Sequence, residues 1–263
     1  MVKASVVVCT MGNPTHVLDC LKKQTFQDFE VIIASERGIV QAMNKALDKA
    51  TGEIFIRVDD DVDIPEKWLE SLLMPFEDPN VGGATGPTFV PKSRRQFRDS
   101  IRIAGNPGWF LRWLFDGGKF NPAAIYNCGS VSYDSNYQER FSPAVYRWPW
   151  EVDHLEGTNW AMRTHLIRQV GGFDSEFDGV AEWFDTDVEQ KIKKLGYKLR
   201  YNPKAYLFHM LEKGEHYSER FEMFGRIENW LRFHRRHSKF HYKKVIWVLM
   251  MLGYAVKNQW RRK

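Results

Sequence analysis

Cysteine is scarce in this 263-residue chain: Cys9, Cys20 and Cys128 are odd in number and show no metal-ligand spacing. That argues against a disulfide framework and for a reducing compartment. Long hydrophobic runs are missing too, since no stretch reaches the roughly 18–20 apolar residues that a bilayer span needs. The opening MVKASVVVCT enters a strand pattern at once, without signal-peptide anatomy. Linker-like composition is absent around residues 91–150, which argues against a separate domain there. Acidic residues nearly vanish at the end: after Phe221 there are Glu222 and Glu228 against Arg226, Arg232, Arg235, Arg236, Lys239, Lys243, Lys244, Lys257, Arg261, Arg262 and Lys263. The net charge of +5 therefore belongs to the tail and its partner. What is present, 43% apolar and 27% charged residues, is ordinary for a folded protein.

The first part alternates strand and helix. KASVVVC and FEVIIAS read as strands. HVLDCLKKQ and GIVQAMNKALDKATG carry Val17, Leu18 and Leu21, then Val40, Met43, Leu47 and Ala50, at helical spacing, with Gly52 as a stop. IFIRVDD is a third strand. After it comes a helix with Trp68, Leu69, Leu72, Leu73 and Phe76 on one side, for which Asp63 is the expected cap, with Pro65 and Glu66 following. Such alternation predicts an α/β fold with a mostly parallel central sheet and helices on both faces. Residues 91–150 mix aromatics with Gly, Pro and Asn and read as irregular structure, a place for a substrate surface. Regular pattern returns in EGTNWAMRTHLIRQVGGFD. In FDTDVEQKIKKLGYKLRYNPKAYLFH, a capping box of Thr186 and Glu189 predicts a helix starting near Asp187 and ending at Gly196. Asp185 then stands just outside its amino end.

One strand runs straight into Asp59, Asp60 and Asp61. Carboxylates about 4 Å apart repel by roughly 4 kcal/mol near a protein surface, so a divalent cation or full solvation is needed there. Ligands of open α/β sheets bind beyond the carboxyl ends of strands, which is where this cluster falls.

Four ordered motifs resemble the inverting, nucleotide-sugar-dependent glycosyltransferases of family 2, which have the GT-A fold. They are SVVVCTMGNP, GIVQAMNKALDKATGEIFIRVDDDVDIPEKWLE with its D-x-D segment, GTNWAMRTHLIRQVGGFD, and FDTDVEQKIKKLGYKLRYNPKAYLFH; the resemblance covers about residues 3–210. Thr10 stands where proline is commoner. ASERG is shorter than the usual acidic turn around the nucleotide base, and Phe184-Asp185 replaces the usual Glu-Asp pair.

The resemblance implies a metal-dependent transfer of a sugar to a hydroxyl of a glycan or lipid-linked acceptor. Asp61, with Asp59 as partner and His209 as a further contact, would hold Mn²⁺ or Mg²⁺ against the diphosphate. Asp60 would meet the ribose or the metal, and Thr10, Ser35 and Glu36 the nucleotide. Gln41 and Asn44 lie on the diphosphate side or are solvated helix residues; Arg37 pairs with phosphate or is an exposed turn arginine. Asp185 would be the general base, with Glu182 as its understudy. Trp148, Trp150 and Trp160 stack on a sugar on the acceptor side or pack in the core or a lid.

These readings divide the chain into a GT-A domain, residues 1–210, and a basic helical extension, residues 211–263. Within the first, the nucleotide-sugar half is about 1–90 and the acceptor half about 91–210. In the extension, Val245 to Val256 is apolar between basic flanks, with Trp247 and Trp260 at its edges. It suits the interface of a membrane, or a helix docked on protein. No nucleic-acid motif accompanies the charge, so nucleic acid is not an expected partner. The expected place of work is cytoplasmic, at the inner face of a membrane. Two rivals are a sugar-phosphate nucleotidyltransferase, for which CTMGNPTHV lacks the glycine-rich basic loop, and a non-catalytic glycan- or membrane-binding protein.

Overall fold

The computed structural model describes residues 2–90, 109–116, 123–131, 150–177, 179, 182–210 and 223–260. Most of the aromatic stretch between 91 and 150, Trp148 included, lies outside the described residues.

Seven strands form the central sheet: β1 (Ala4–Cys9), β2 (Phe29–Ala34), β3 (Ile54–Asp59), β5 (Val81–Thr85), β7 (Trp150–Glu151), β8 (Asn159–Arg163) and β9 (Lys198–Tyr201). Their order is β2-β1-β3-β8-β5-β9-β7. β1, β2, β3, β5 and β9 point the same way, while β8 and the short edge strand β7 run against them. This is the expected mostly parallel α/β sheet, with one reversed strand inserted at its middle. Three short strands, β4 (Val62–Asp63), β6 (Thr88–Phe89) and β10 (Leu207–His209), make a second sheet in the order β4-β10-β6.

The helices are α1 (Thr15–Lys22), α2 (Ile39–Lys49), α3 (Trp68–Leu73), α4 (Trp109–Leu114), α5 (Thr164–Gln169), α6 (Phe184–Lys194), α7 (Met223–His237) and α8 (Tyr242–Trp260). Two apolar clusters form on the sheet. One joins Val40, Met43 and Leu47 of α2 with Phe55, Trp160, Phe173 and Phe184; the other joins Val17 and Leu21 of α1 with Ile54, Ile56, Trp68 and Leu72. β3 is buried at every residue, so it is covered on both faces, as a central parallel strand must be.

Two helix starts differ from expectation. Asp63 does not cap α3, whose N-cap residue is Lys67; instead Asp63 extends as a strand and pairs with Phe208. Pairing in the second sheet supplies the backbone bonds that the extended conformation needs, and the helix begins five residues on. Likewise Thr186 is not a cap, because α6 already starts at Phe184. Glu189 reaches the backbone N–H of Leu155 instead of closing a capping box (3.0 Å). Gly196 ends the helix at φ 94°, as its freedom in the left-handed region allows.

The basic tail is partly woven into the body. In α7, Phe233 joins the main core, Trp230 Nε1 donates to the Gly129 carbonyl (2.8 Å), and Arg236 pairs with Asp174 (2.7 Å). One side of α8 docks: Trp247 meets Phe115 edge-on, and Lys243 Nζ pairs with Asp116 at 2.8 Å. Val245, Leu249 and Val256, which share another side at i, i+4 and i+11, are 49%, 62% and 53% exposed. The side chain of Trp260 is not among those described. No helix among the described residues is long and apolar enough to cross a membrane.

Candidate functional site

Strand β3 ends on Asp59, and the turn to β4 holds Asp60 and Asp61. β10 runs back along β4, pairing His209 with Val62, and the Met210 N–H donates to the Asp61 carbonyl at 2.9 Å. This register sets His209 Nε2 3.0 Å from Asp61 Oδ1 and 3.9 Å from Asp59 Oδ2. Ligand atoms of Asp59, Asp61 and His209 all lie within 4.8 Å of one another. Two carboxylates and an imidazole at that spacing suit a cation of the Mn²⁺ or Mg²⁺ class that keeps positions open for other oxygen ligands. Burial disfavours a charged His209, but the Asp61 hydrogen bond and the Asp59 and Asp61 charges outweigh it and raise its pKa. Asp60 turns to Thr10, whose hydroxyl donates to it and in turn accepts the Gly12 N–H at 3.0 Å. Burial, with the charges of Asp61 and Asp59 adding to it, raises the Asp60 pKa against that hydrogen bond.

The organising residue is Arg57, which the alternation of β3 shows only as a strand position. It is 8% exposed, and its guanidinium faces two carboxylates: Nη2 is 3.1 Å from Asp59 Oδ1, and Nη1 is 3.6 Å from Asp185 Oδ2. The Gly157 carbonyl accepts from Nη1, and the Phe184 ring lies 5.6 Å from the guanidinium carbon. Burial opposes the charge on Arg57, yet the Asp59 and Asp185 carboxylates more than restore it. The available signal in the sequence was an arginine two residues before an aspartate on a greasy strand, which puts both on one face.

Asp185 lies in the first turn of α6. Burial raises its pKa, against the opposing Arg57 charge and the Thr186 N–H, which donates to Oδ1 at 2.9 Å. A methyl group at Gly157 would lie 3.7 Å from Asp185 Oδ2, an ordinary van der Waals contact, so the Gly157 backbone packs beside the carboxylate. The residue before the helix, Trp183, is held at φ 75°, an unusual conformation that costs on the order of 1–3 kcal/mol. Phe233 and His234 of α7 pack on its ring, with centroids 4.5 and 5.3 Å away. The tail helix thus helps fix the turn that presents Asp185. Asp187 faces elsewhere: it binds His237 Nε2 (2.7 Å) and Lys191 Nζ (2.6 Å), which ties α6 to α7.

The other expected residues are scattered. Ser35 and Gln41 are exposed, and Glu36 pairs loosely with Lys45 at 3.6 Å. Asn44 is half-buried, and its amide is engaged by the backbone. Its amide donates to the Phe173 carbonyl (2.7 Å) and accepts the Phe173 N–H (2.9 Å), clamping the turn in which Gly172 sits at φ 74°. Trp160 is fully buried between Phe55 and Phe173, so it offers no face to a sugar; its strand lies in the sheet interior. Trp150 opens β7, and its side chain is not among those described. Glu182 pairs with Arg226 rather than with Arg57.

The sequence profile of the family described as glycosyl transferase family 2 matches residues 13–171. Glucosyl-dolichyl phosphate glucuronosyltransferase of Haloferax volcanii is 20% identical over 249 residues, covering 80% of this chain and 69% of that protein. A mannosyltransferase from Pyrobaculum calidifontis, solved with GDP-Man and Mn²⁺, superposes with a TM-score of 0.56 at 18% identity, over 98% of this chain and 74% of that one. GalNAc-T7, solved with UDP, GalNAc and Mn²⁺, gives 0.54 at 14% identity, over 89% of this chain and 48% of that one. At such identities the structural likeness speaks for the GT-A fold.

Proposed function

Because this chain belongs to glycosyl transferase family 2, a family of sugar-transferring enzymes, we propose that it moves a sugar from a nucleotide diphosphate sugar to an acceptor hydroxyl with inversion. The observation that carries this is the shared guanidinium of Arg57. It joins Asp59, one member of the cation-binding group, to Asp185, a buried carboxylate in the first turn of α6.

In this reading Asp61, Asp59 and His209 hold Mn²⁺ or Mg²⁺, which when bound neutralises charge on the diphosphate. Thr10 fixes Asp60 toward the nucleotide. Asp185 takes the proton of the attacking hydroxyl, and its raised pKa brings its basicity nearer to working pH. Arg57 keeps Asp185 ionised before attack and in place throughout. Opposite placement of base and leaving diphosphate around the anomeric carbon gives inversion in one step. The acceptor is a glycan or a lipid-linked sugar; the Haloferax relative, whose name includes a dolichyl phosphate, supports the latter. The exposed apolar side of α8 would rest on a membrane surface, with the exposed Lys239 just before the helix.

The test combines nucleotide-dependent thermal shift with sugar transfer, each with Mn²⁺ or chelator, in wild type, Asp61→Asn and Asp185→Asn. One nucleoside diphosphate should stabilise the wild type only with metal, by about 2.7 kcal/mol at a hundred times its Kd. Asp61→Asn should lose that shift. Asp185→Asn should keep it and lose transfer. Turnover that survives Asp185→Asn removes the assigned base.

A further inference from the structure

The described residues contain a second group of metal-ligating side chains, outside the arginine-centred site: His16 and Cys20 of α1 and Asp63 of β4. His16 and Cys20 are one helical turn apart on the same face. Asp63, extended in β4 instead of capping α3, comes up against that face. Cys20 Sγ is 3.6 Å from Asp63 Oδ1 and 3.9 Å from His16 Nε2, and His16 Nε2 is 3.8 Å from the same Asp63 oxygen.

The two sulfur distances are those of weak thiol hydrogen bonds, the nitrogen–oxygen distance is longer than one, and all three are close to the edges of a coordination tetrahedron. Zinc bonds of about 2.3 Å to sulfur and about 2.0–2.2 Å to nitrogen and oxygen separate ligand atoms by roughly 3.3–3.6 Å. The observed triangle exceeds this by a few tenths of an ångström. His16 and Asp63 have side chains 65% and 52% exposed, so both have room to close it, and solvent has access to a fourth position. The sulfur comes from Cys20, which is nearly buried at 9% and so fixes one corner.

We propose that His16, Cys20 and Asp63 form a zinc site distinct from the Asp59, Asp61 and His209 group. A thiolate and an imidazole select a borderline-soft ion, whereas the carboxylate-rich group selects a hard one, so the two sites sort their metals by chemistry. Binding forms the sulfur–zinc bond as the thiol proton leaves to water. The site joins two segments that border the candidate donor pocket: α1 follows the loop of Thr10 and Gly12, and β4 follows the Asp59–Asp61 turn. Zinc there would staple these two segments together.

Cobalt(II) titration of the full chain tests this, because a thiolate–cobalt bond gives a charge-transfer absorption that carboxylate and imidazole ligands do not. The wild type and Asp61→Asn should both show the band, and zinc should remove it by displacement. Cys20→Ser should lack it. His16→Ala, at an exposed position that leaves the fold intact, should weaken zinc binding at least tenfold, and thermal unfolding checks that both variants are folded. Absence of the band in the wild type, or its survival in Cys20→Ser, overturns the proposal.

Discussion

Replacing Arg57 with methionine keeps most of the side-chain volume and removes the buried positive charge. Asp59 and Asp185 then remain, 7% and 8% exposed, without their shared partner. At 3.6 Å and an effective dielectric of about 20, the lost attraction between Arg57 and Asp185 is roughly 4–5 kcal/mol. Desolvation of the arginine itself, relieved in the variant, offsets part of this. Breaking buried ion pairs from one side costs about 3–5 kcal/mol, and that is the expected loss at pH 7. The pH dependence carries a sign. Without Arg57, the Asp185 carboxylate, whose pKa burial already raises, binds its proton still more tightly folded than unfolded, so the variant loses stability as pH rises above the ordinary carboxylate range. The deficit relative to wild type should be smallest near pH 4 and grow toward neutrality. Urea unfolding of both proteins between pH 4 and pH 8 measures it. Arg57→Lys, which keeps a charge but not the fork, should recover part of the loss. A deficit under about 1 kcal/mol at pH 7, or one independent of pH, refutes the placement of Arg57 as the charge that holds both carboxylates.

His234 provides a second pH effect. Burial lowers its pKa from the ordinary 6.5 to about 4, against the pull of the Gly129 carbonyl, 2.9 Å from Nε2. The unfolded chain takes up the proton first, so stability is full above about pH 6.5 and falls by roughly 3 kcal/mol as pH drops toward 4. His234→Gln should flatten that part of the wild-type curve in chemical unfolding. Asn44→Ala strands the N–H and carbonyl of Phe173 and should cost about 1–3 kcal/mol while nucleotide affinity stays as in wild type. Unchanged stability with weakened nucleotide binding would restore Asn44 to the diphosphate side.

Periodicity and local motifs were sufficient for the alternating strands and helices, the acidic turn after β3 and the family, because these depend on neighbours within a few residues. Gly196 as a helix end was legible for the same reason. The sequence pattern also put Asp59, Asp61 and His209 on one list, through the family resemblance. Their common site needs β10 to return beside β4, a pairing across nearly 150 residues that no local pattern encodes. The helix starts expected at Asp63 and Thr186 shift because strand pairing and a left-handed Trp183, both set by distant packing, override capping preference. Tertiary structure alone buried Trp160, gave Asn44 a backbone to clamp, and made Arg57 the centre of two carboxylates. Cys20 shows the same division in small. Its spacing from the other cysteines says nothing of metals, and only the approach of β4 to α1 sets Asp63 beside it and His16. Helical hydrogen bonding and apolar period act along the chain, whereas strand pairing, charge and ligand geometry act through space, so the chemistry of this protein waits on its folding.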